Sequence, residues 1–298
     1  MTTPSRSASG ISAGIASYVL WGFLPAYFLL LPPTGPWEIV AWRIVLSLVF
    51  CLVILAVSRR IHSTFGLLRD RRNLVLTLLA GVLIYVNWQV FLVATLTGHV
   101  VESALGYFIN PIVTIVLSVI FLGERLRTMQ WVAIGFAGIA VVVLVVGYGA
   151  FPVYGLTLAA SFGLYGLVKK KMGGRIGAVA GLTLETVWLV PIALIELVWV
   201  GATTGLTMGQ NGAEHTLALA LAGVVTAVPL LLFSAGTSRI PLSWMGFFQY
   251  ITPTMQFIFG VYIMHEPMPA ERFIGFALVW VGLAALLIDS VVYQRTRV

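Results

Sequence analysis

The sequence predicts an all-α integral membrane protein of ten transmembrane helices, arranged as two inverted five-helix repeats. Three observations carry this expectation. Of 298 residues, 60% are apolar and only 9% are Asp, Glu, Lys or Arg, giving a mean hydropathy of +1.02. The apolar residues fall into ten runs, each long enough to cross a bilayer. The chain also matches itself at a nearly constant shift.

A soluble domain carries roughly a quarter charged residues because water covers its surface. This chain has too few charges for that, so membrane lipid is the solvent for most of it. The net charge of +7 does not point to nucleic acid. Its basic residues sit in short clusters between apolar runs, as in cytoplasmic loops, and no basic element interleaved with aromatics invites a phosphate backbone. The single cysteine, Cys51, lies in an apolar run and is read as a small buried hydrophobe rather than a metal ligand. No cofactor is expected.

A polar tail, 1–9, precedes the first run at about 10–31, which is too long for a signal-peptide core and has no cleavage motif, so it is read as a retained span. The following runs, 37–57, 73–95, 101–122 and 127–147, complete a first half, 10–147. The second half, 148–291, holds 151–169, 177–200, 215–235, 241–264 and 269–291, and a tail, 292–298, closes the chain. Charges, Gly or Pro bound every run. The longest linkers are the basic 58–72 and the Gly/Thr-rich 201–214.

Orientation follows from Lys and Arg. With a cytoplasmic N-terminus, the inner segments hold Arg6; Arg59, Arg60, Arg69, Arg71 and Arg72; Arg125 and Arg127; Lys169, Lys170, Lys171 and Arg175; Arg239; Arg295 and Arg297, which is 15 of the 17 cations. Only Arg272 falls outside and Arg43 within a span. Such a bias satisfies the positive-inside rule and places both termini in the cytoplasm.

A shift of 142 residues aligns Leu79-Ala80-Gly81-Val82 with Leu221-Ala222-Gly223-Val224, Phe91 with Phe233, Pro111 with Pro253 and Glu124 with Glu266. Near the start, a shift of 144 pairs Ala16–Gly22 with Ala160–Gly166. The unit holds five spans, an odd number, so the second copy enters the membrane in the opposite sense. Inverted repeats recur in secondary transporters, with the substrate site near the midplane.

Polar side chains in mid-span normally face protein or water. Ser103, Tyr107, Asn110, Thr114 and Ser118 share one face of the fourth span, and Gln249, Thr252 and Gln256 one face of the ninth. The shift superposes these two stripes, beside Pro111 and Pro253, which are candidate hinges. They are read as walls of a central cavity, with interhelical hydrogen bonding as the alternative. Asn87 or Gln89, beside Trp88 of the third span, is expected to join them. Ser17 with Trp21, and Ser161 with Tyr165, place an aromatic one turn from a hydroxyl, suited to a flat substrate or to packing alone. The embedded charges are Glu38, Arg43, Glu102 and Glu185. A structural ion pair of Glu38 and Arg43 is favoured; Glu102 and Glu185 are further candidate partners for the arginine, and Glu185 could instead carry a coupling proton or bind a cationic group. Glu196 is expected to be solvated, and Glu124 and Glu266 to cap a following helix or pair with Arg125 or Arg272.

The runs Ser17–Gly22, Glu38–Arg43, Gly98–Pro111, Phe121–Leu126 and Ser161–Gly166 resemble the RarD branch of the EamA-type drug/metabolite transporters. The similarity spans about Gly10 to Asp289, and Gly106-Tyr107-Phe108-Ile109-Asn110-Pro111 is its most specific part. One departure is His265-Glu266-Pro267 where the pattern has Gly-Glu-Arg. The resemblance implies a bacterial inner-membrane permease with a 5+5 inverted fold and a cavity lined by spans 1, 3, 4, 6, 8 and 9. Together these readings indicate a secondary carrier of small metabolites or drugs that works by alternating access. A passive channel is the alternative, and a non-transporting membrane subunit a weaker one. No Walker-type phosphate loop is present to use ATP, and no H-E-x-x-H zinc pair or paired membrane aspartates mark an enzyme. The expected partners are lipid and a small-molecule substrate, with a homodimer as a candidate assembly.

Overall fold

A computed structural model describes residues 4–122, 128–148, 151–172, 176–237, 239 and 248–295. The described residues form helices joined by turns, with no strand among them. The first apolar run is α1 (Pro4–Gly22) followed by the short α2 (Leu24–Phe28), broken at Phe23 just before Pro25, which occupies the first turn of α2. Then come α3 (Pro36–Val57), a short α4 (Ile61–Gly66) within the basic linker, α5 (Arg71–Leu96), α6 (Val100–Leu122) and α7 (Thr128–Tyr148). The second half holds α8 (Val153–Met172), α9 (Ala178–Thr203), α10 (Gly212–Ala220), α11 (Ala222–Thr237), α12 (Ile251–Ile258) and α13 (Ala270–Arg295). A π-helical turn, Phe259–Ile263, continues α12.

Four stretches among the described residues are long and apolar enough to cross a membrane: Pro36–Val57, Arg71–Leu96, Ala178–Thr203 and Gly212–Phe233. Their outward faces carry large exposed apolar side chains, such as Val57, Ile195 and Val198. In water such surface would be driven together; in a bilayer it meets acyl chains at no cost.

Helix pairing follows the sequence repeat. Helix α5 packs on α8 and α9, while α11 packs on α1 and α3; α6 packs on α8, and α12 on α1. Each of these pairs becomes the other when α1 is exchanged for α8, α3 for α9, α5 for α11 and α6 for α12. The remaining large contacts, α3 with α9, α6 with α12 and α7 with α13, map onto themselves. The aligned Leu-Ala-Gly-Val motifs have a physical role in this. A Cβ on Gly81 would lie 3.0 Å from the backbone oxygen of Glu185, and one on Gly223 2.5 Å from the carbonyl carbon of Leu46. Both glycines thus let their helix press against the backbone of a partner, α5 on α9 and α11 on α3.

Contacts sort the connections onto two ends of the bundle. At one end Arg72 Nη2 donates to the Lys171 carbonyl at 2.9 Å, beside a cavity of about 430 Å³ lined by Arg71, Arg72, Val75, Leu76 and Lys171. At the other, Thr34 Oγ1 bonds to Thr207 at 2.6 Å and His215 at 2.8 Å, and the His99 ring lies 4.9 Å from that of Tyr154.

Candidate functional site

Some of the polar residues singled out in mid-helix meet where α5, α6 and α8 converge. Tyr107 donates to Asn87 Oδ1 at 3.1 Å, and Asn87 Nδ2 donates to Ser161 Oγ at 3.1 Å and to the Leu158 carbonyl at 3.2 Å. One turn beyond Tyr107, Asn110 Nδ2 donates to the Ala159 carbonyl at 3.0 Å and its Oδ1 accepts from Gln249 Nε2 at 3.3 Å. Asn87, Asn110 and Ser161 are buried, whereas Tyr107, Tyr165, Trp21 and Gln249 remain partly exposed. The approach of α6 to α8 is made by Gly106 and Gly155: a Cβ on Gly106 would lie 2.3 Å from the Gly155 oxygen. Only glycines allow the asparagine to reach the neighbouring backbone here.

The other two ninth-span residues bond to α1 instead. Thr252 Oγ1 donates to the Tyr18 carbonyl at 2.7 Å, and Gln256 Nε2 to the Trp21 carbonyl at 3.4 Å, leaving Gln256 Oε1 buried without a partner. Ser17 bonds within its own helix, to the Gly14 carbonyl at 2.7 Å. Trp21 packs against Tyr18 and Phe233, at ring separations of 5.4 and 5.8 Å. Of the two third-span amides, Asn87 joins the network, whereas Gln89 is buried with neither side-chain polar atom partnered. Pro253 sits in the first turn of α12, where a missing N–H removes no helical hydrogen bond. Helix α6 continues through Pro111, but the side chains of Pro111, Thr114 and Ser118 lie outside the described residues, as do Glu124 and Arg125.

The embedded charges are arranged differently from the favoured pairing. Glu38 does not meet Arg43, because five residues along a helix place them on different faces. Its carboxylate accepts from the backbone N–H of Thr207 at 2.9 and 3.1 Å and of Met208 at 3.2 Å, and from Trp42 Nε1 at 3.2 Å. The 204–211 connection can present those donors because Gly205 and Gly209 take positive φ, 82° and 80°. Glu102 accepts from the backbone N–H of Tyr154 at 2.9 Å and Gly155 at 3.3 Å, putting negative charge at the N-terminus of α8. Glu266 does the same for α6 rather than for the helix that follows it: Val100 N–H at 2.6 Å and Val101 N–H at 3.0 Å, with Arg272 3.9 Å away. Burial raises its pKa, against the opposing pull of those N–H groups, Arg272 and His99.

Glu185 is fully buried and pairs with Lys169 at 2.5 Å and with the Tyr165 hydroxyl at 3.1 Å. That pair was not anticipated, although both residues flank the same short connection and a lysine stem reaches far along an apolar surface. Glu196, expected to be solvated, is buried and accepts from the Tyr85 hydroxyl at 2.5 Å. Arg43 is 3% exposed, donates from Nε to Thr226 Oγ1 at 2.6 Å, and holds its guanidinium over the Trp88 ring at 4.4 Å. Among the described residues no carboxylate pairs with it.

A helical, membrane-competent bundle holding a buried polar network is an integral membrane protein, and the comparisons give its class as that of transporters. Residues 8–146 match the EamA-like transporter family. Protein RarD of Streptomyces exfoliatus is 44% identical over 290 residues, covering 97% of this chain and 91% of that protein. An uncharacterized transporter of Vibrio cholerae serotype O1 is 38% identical over 291 residues, covering 97% and 96%. A crystal structure superposes with a TM-score of 0.60 at 17% identity over 94% of this chain and 97% of its own, a likeness of fold alone. The chain belongs to the RarD branch of the EamA drug/metabolite transporter superfamily. The Vibrio cholerae relative carries the name of a transporter.

Proposed function

We propose that the protein is a secondary carrier, moving a small amphipathic molecule across the bacterial inner membrane by alternating access. Its ten spans form two inverted halves, 10–147 and 148–291, and both termini are cytoplasmic. The observation that supports this best is the exchange symmetry of the helix pairs, in which α5–α8, α5–α9 and α6–α8 recur as α11–α1, α11–α3 and α12–α1. Two similar halves of opposite direction can trade conformations, so inward-open and outward-open states have comparable energy. The hydrogen-bonded group of Asn87, Tyr107, Asn110, Ser161 and Gln249 lies between elements of both halves, where a substrate would exchange protein hydrogen bonds for its own.

The test is uptake into proteoliposomes from a panel of small aromatic and amphipathic solutes. The wild type moves at least one solute faster than protein-free vesicles, and Asn110→Leu or Gln256→Leu loses that uptake while eluting as a monodisperse, helical protein. Normal uptake by both variants removes the cavity from this account, and no uptake by the wild type removes the carrier.

A further inference from the structure

Among the described residues, Arg43 is a buried cation without an anion. It lies seven residues into α3, so about 10 Å of helix separates it from the end of the bundle. Its Nε bonds to Thr226 Oγ1, whose own proton goes to the Ala222 carbonyl at 2.8 Å. Its Nη1 is buried with no hydrogen-bond partner. The carboxylates that might have neutralised it are held elsewhere: Glu38 by the Thr207 and Met208 backbone, Glu102 by the start of α8, and Glu185 by Lys169. The charge is instead faced by rings, Trp88 at 4.4 Å and Phe28 at 5.7 Å.

A guanidinium removed from water with no counter-charge is costly, and intramembrane charges are retained where they meet a partner or a substrate. The Trp88 ring centroid lies 4.4 Å from Cζ and Nε is given to Thr226. That leaves the buried, unpartnered Nη1, an N–H group from which a carboxylate accepts a charge-assisted hydrogen bond. Aromatic walls beside it suit a flat apolar body attached to that carboxylate. Resting on the carrier reading above, we infer that Arg43 is the docking point for a monovalent organic anion, a carboxylate joined to a flat apolar group, on the transport route.

Thermal unfolding of the full chain in detergent, with benzoate, benzamide and benzylamine as probes, tests this. Benzoate should raise the melting temperature saturably, because a ligand that binds only the folded form stabilises it; benzamide and benzylamine, of the same shape but without negative charge, should not. Arg43→Gln should weaken benzoate binding by roughly 10- to 100-fold, the loss expected for a hydrogen bond to a charged group. Arg43→Lys, which keeps the charge but not the fork, should retain a weaker preference for benzoate over benzamide, and it carries the test if the glutamine variant misfolds. The inference is overturned if the wild type does not distinguish benzoate from benzamide, if benzylamine stabilises more, or if Arg43→Gln keeps the benzoate response. Uptake of the radiolabelled probes into proteoliposomes separates the two readings. Movement of benzylamine or benzamide with none of benzoate leaves the carrier standing and ends the role of Arg43; Arg43-dependent benzoate binding with no transport of any probe does the reverse.

Discussion

Glu266 illustrates how a residue recognised by sequence can meet one expected neighbour, Arg272 at 3.9 Å, and cap a helix other than the expected one. The self-match puts it opposite Glu124 and suggests a helix cap; the cap it makes is on α6, 165 and 166 residues away, through the Val100 and Val101 N–H groups. Burial wins over those donors and holds its pKa above the usual 4.5. The folded chain therefore binds this proton more readily than the unfolded chain. The associated stability is fully present below the ordinary Glu value and is lost as pH rises through the raised one. The melting temperature of wild type minus that of Glu266→Gln, whose side chain stays neutral, should accordingly fall between about pH 4 and about pH 8. A value that rises with pH would mean that the N–H groups and Arg272 outweigh burial. Arg43 and Glu38 make a related point. Sequence marks both as embedded charges, but which groups they meet depends on elements far along the chain, Thr226 for one and the 204–211 connection for the other.

At the scale of elements, the apolar runs were legible because each long helix interior carries little else. The expected 37–57, 73–95 and 101–122 compare with Pro36–Val57, Arg71–Leu96 and Val100–Leu122. Breaks within an apolar run were not legible, because a bend changes backbone geometry without changing hydropathy. The stop at Phe23, the turn at Leu221 and the π-helical Phe259–Ile263 all fall in this class. The short α4 was hidden by its polar linker. Close crossings depend on glycines whose partners are also invisible in one sequence. Gly106→Ala would drive a methyl into the Gly155 backbone, whereas the Cβ position on Gly138 meets nothing within 4 Å. Overpacking of this kind typically costs about 1–3 kcal/mol or more, while Gly→Ala in an open helix interior gains up to about 1 kcal/mol. Gly106→Ala should therefore lower the melting temperature in detergent and Gly138→Ala should hold or raise it. Equal behaviour of the two variants would contradict the α6–α8 crossing. Of the expected stripe on α6, Tyr107 meets α5 and Asn110 meets α8. Which partner each polar side chain takes, Asn110 for Gln249 but α1 for Thr252 and Gln256, required the packing.

For the whole molecule, the shift of 142 residues and the exchange of helix pairs describe one relation, first along the chain and then in space. In the proposed ten-span arrangement both have one physical basis, since a unit with an odd number of crossings must reverse direction when repeated. Residues related by the shift then belong on opposite faces of the membrane. Arg72, at the end shared with Lys171, is related in this way to Glu214, beside the His215 that meets Thr34. Because Cys51 is the single cysteine, Cys51→Ala provides a background for one engineered thiol at a time. The most direct test of the inverted repeat is labelling of Arg72→Cys and Glu214→Cys in intact cells and in inside-out vesicles with a membrane-impermeant maleimide. The account predicts that position 214 reacts from outside the cell and position 72 only from the cytoplasmic side; reaction of both from the same side would contradict it.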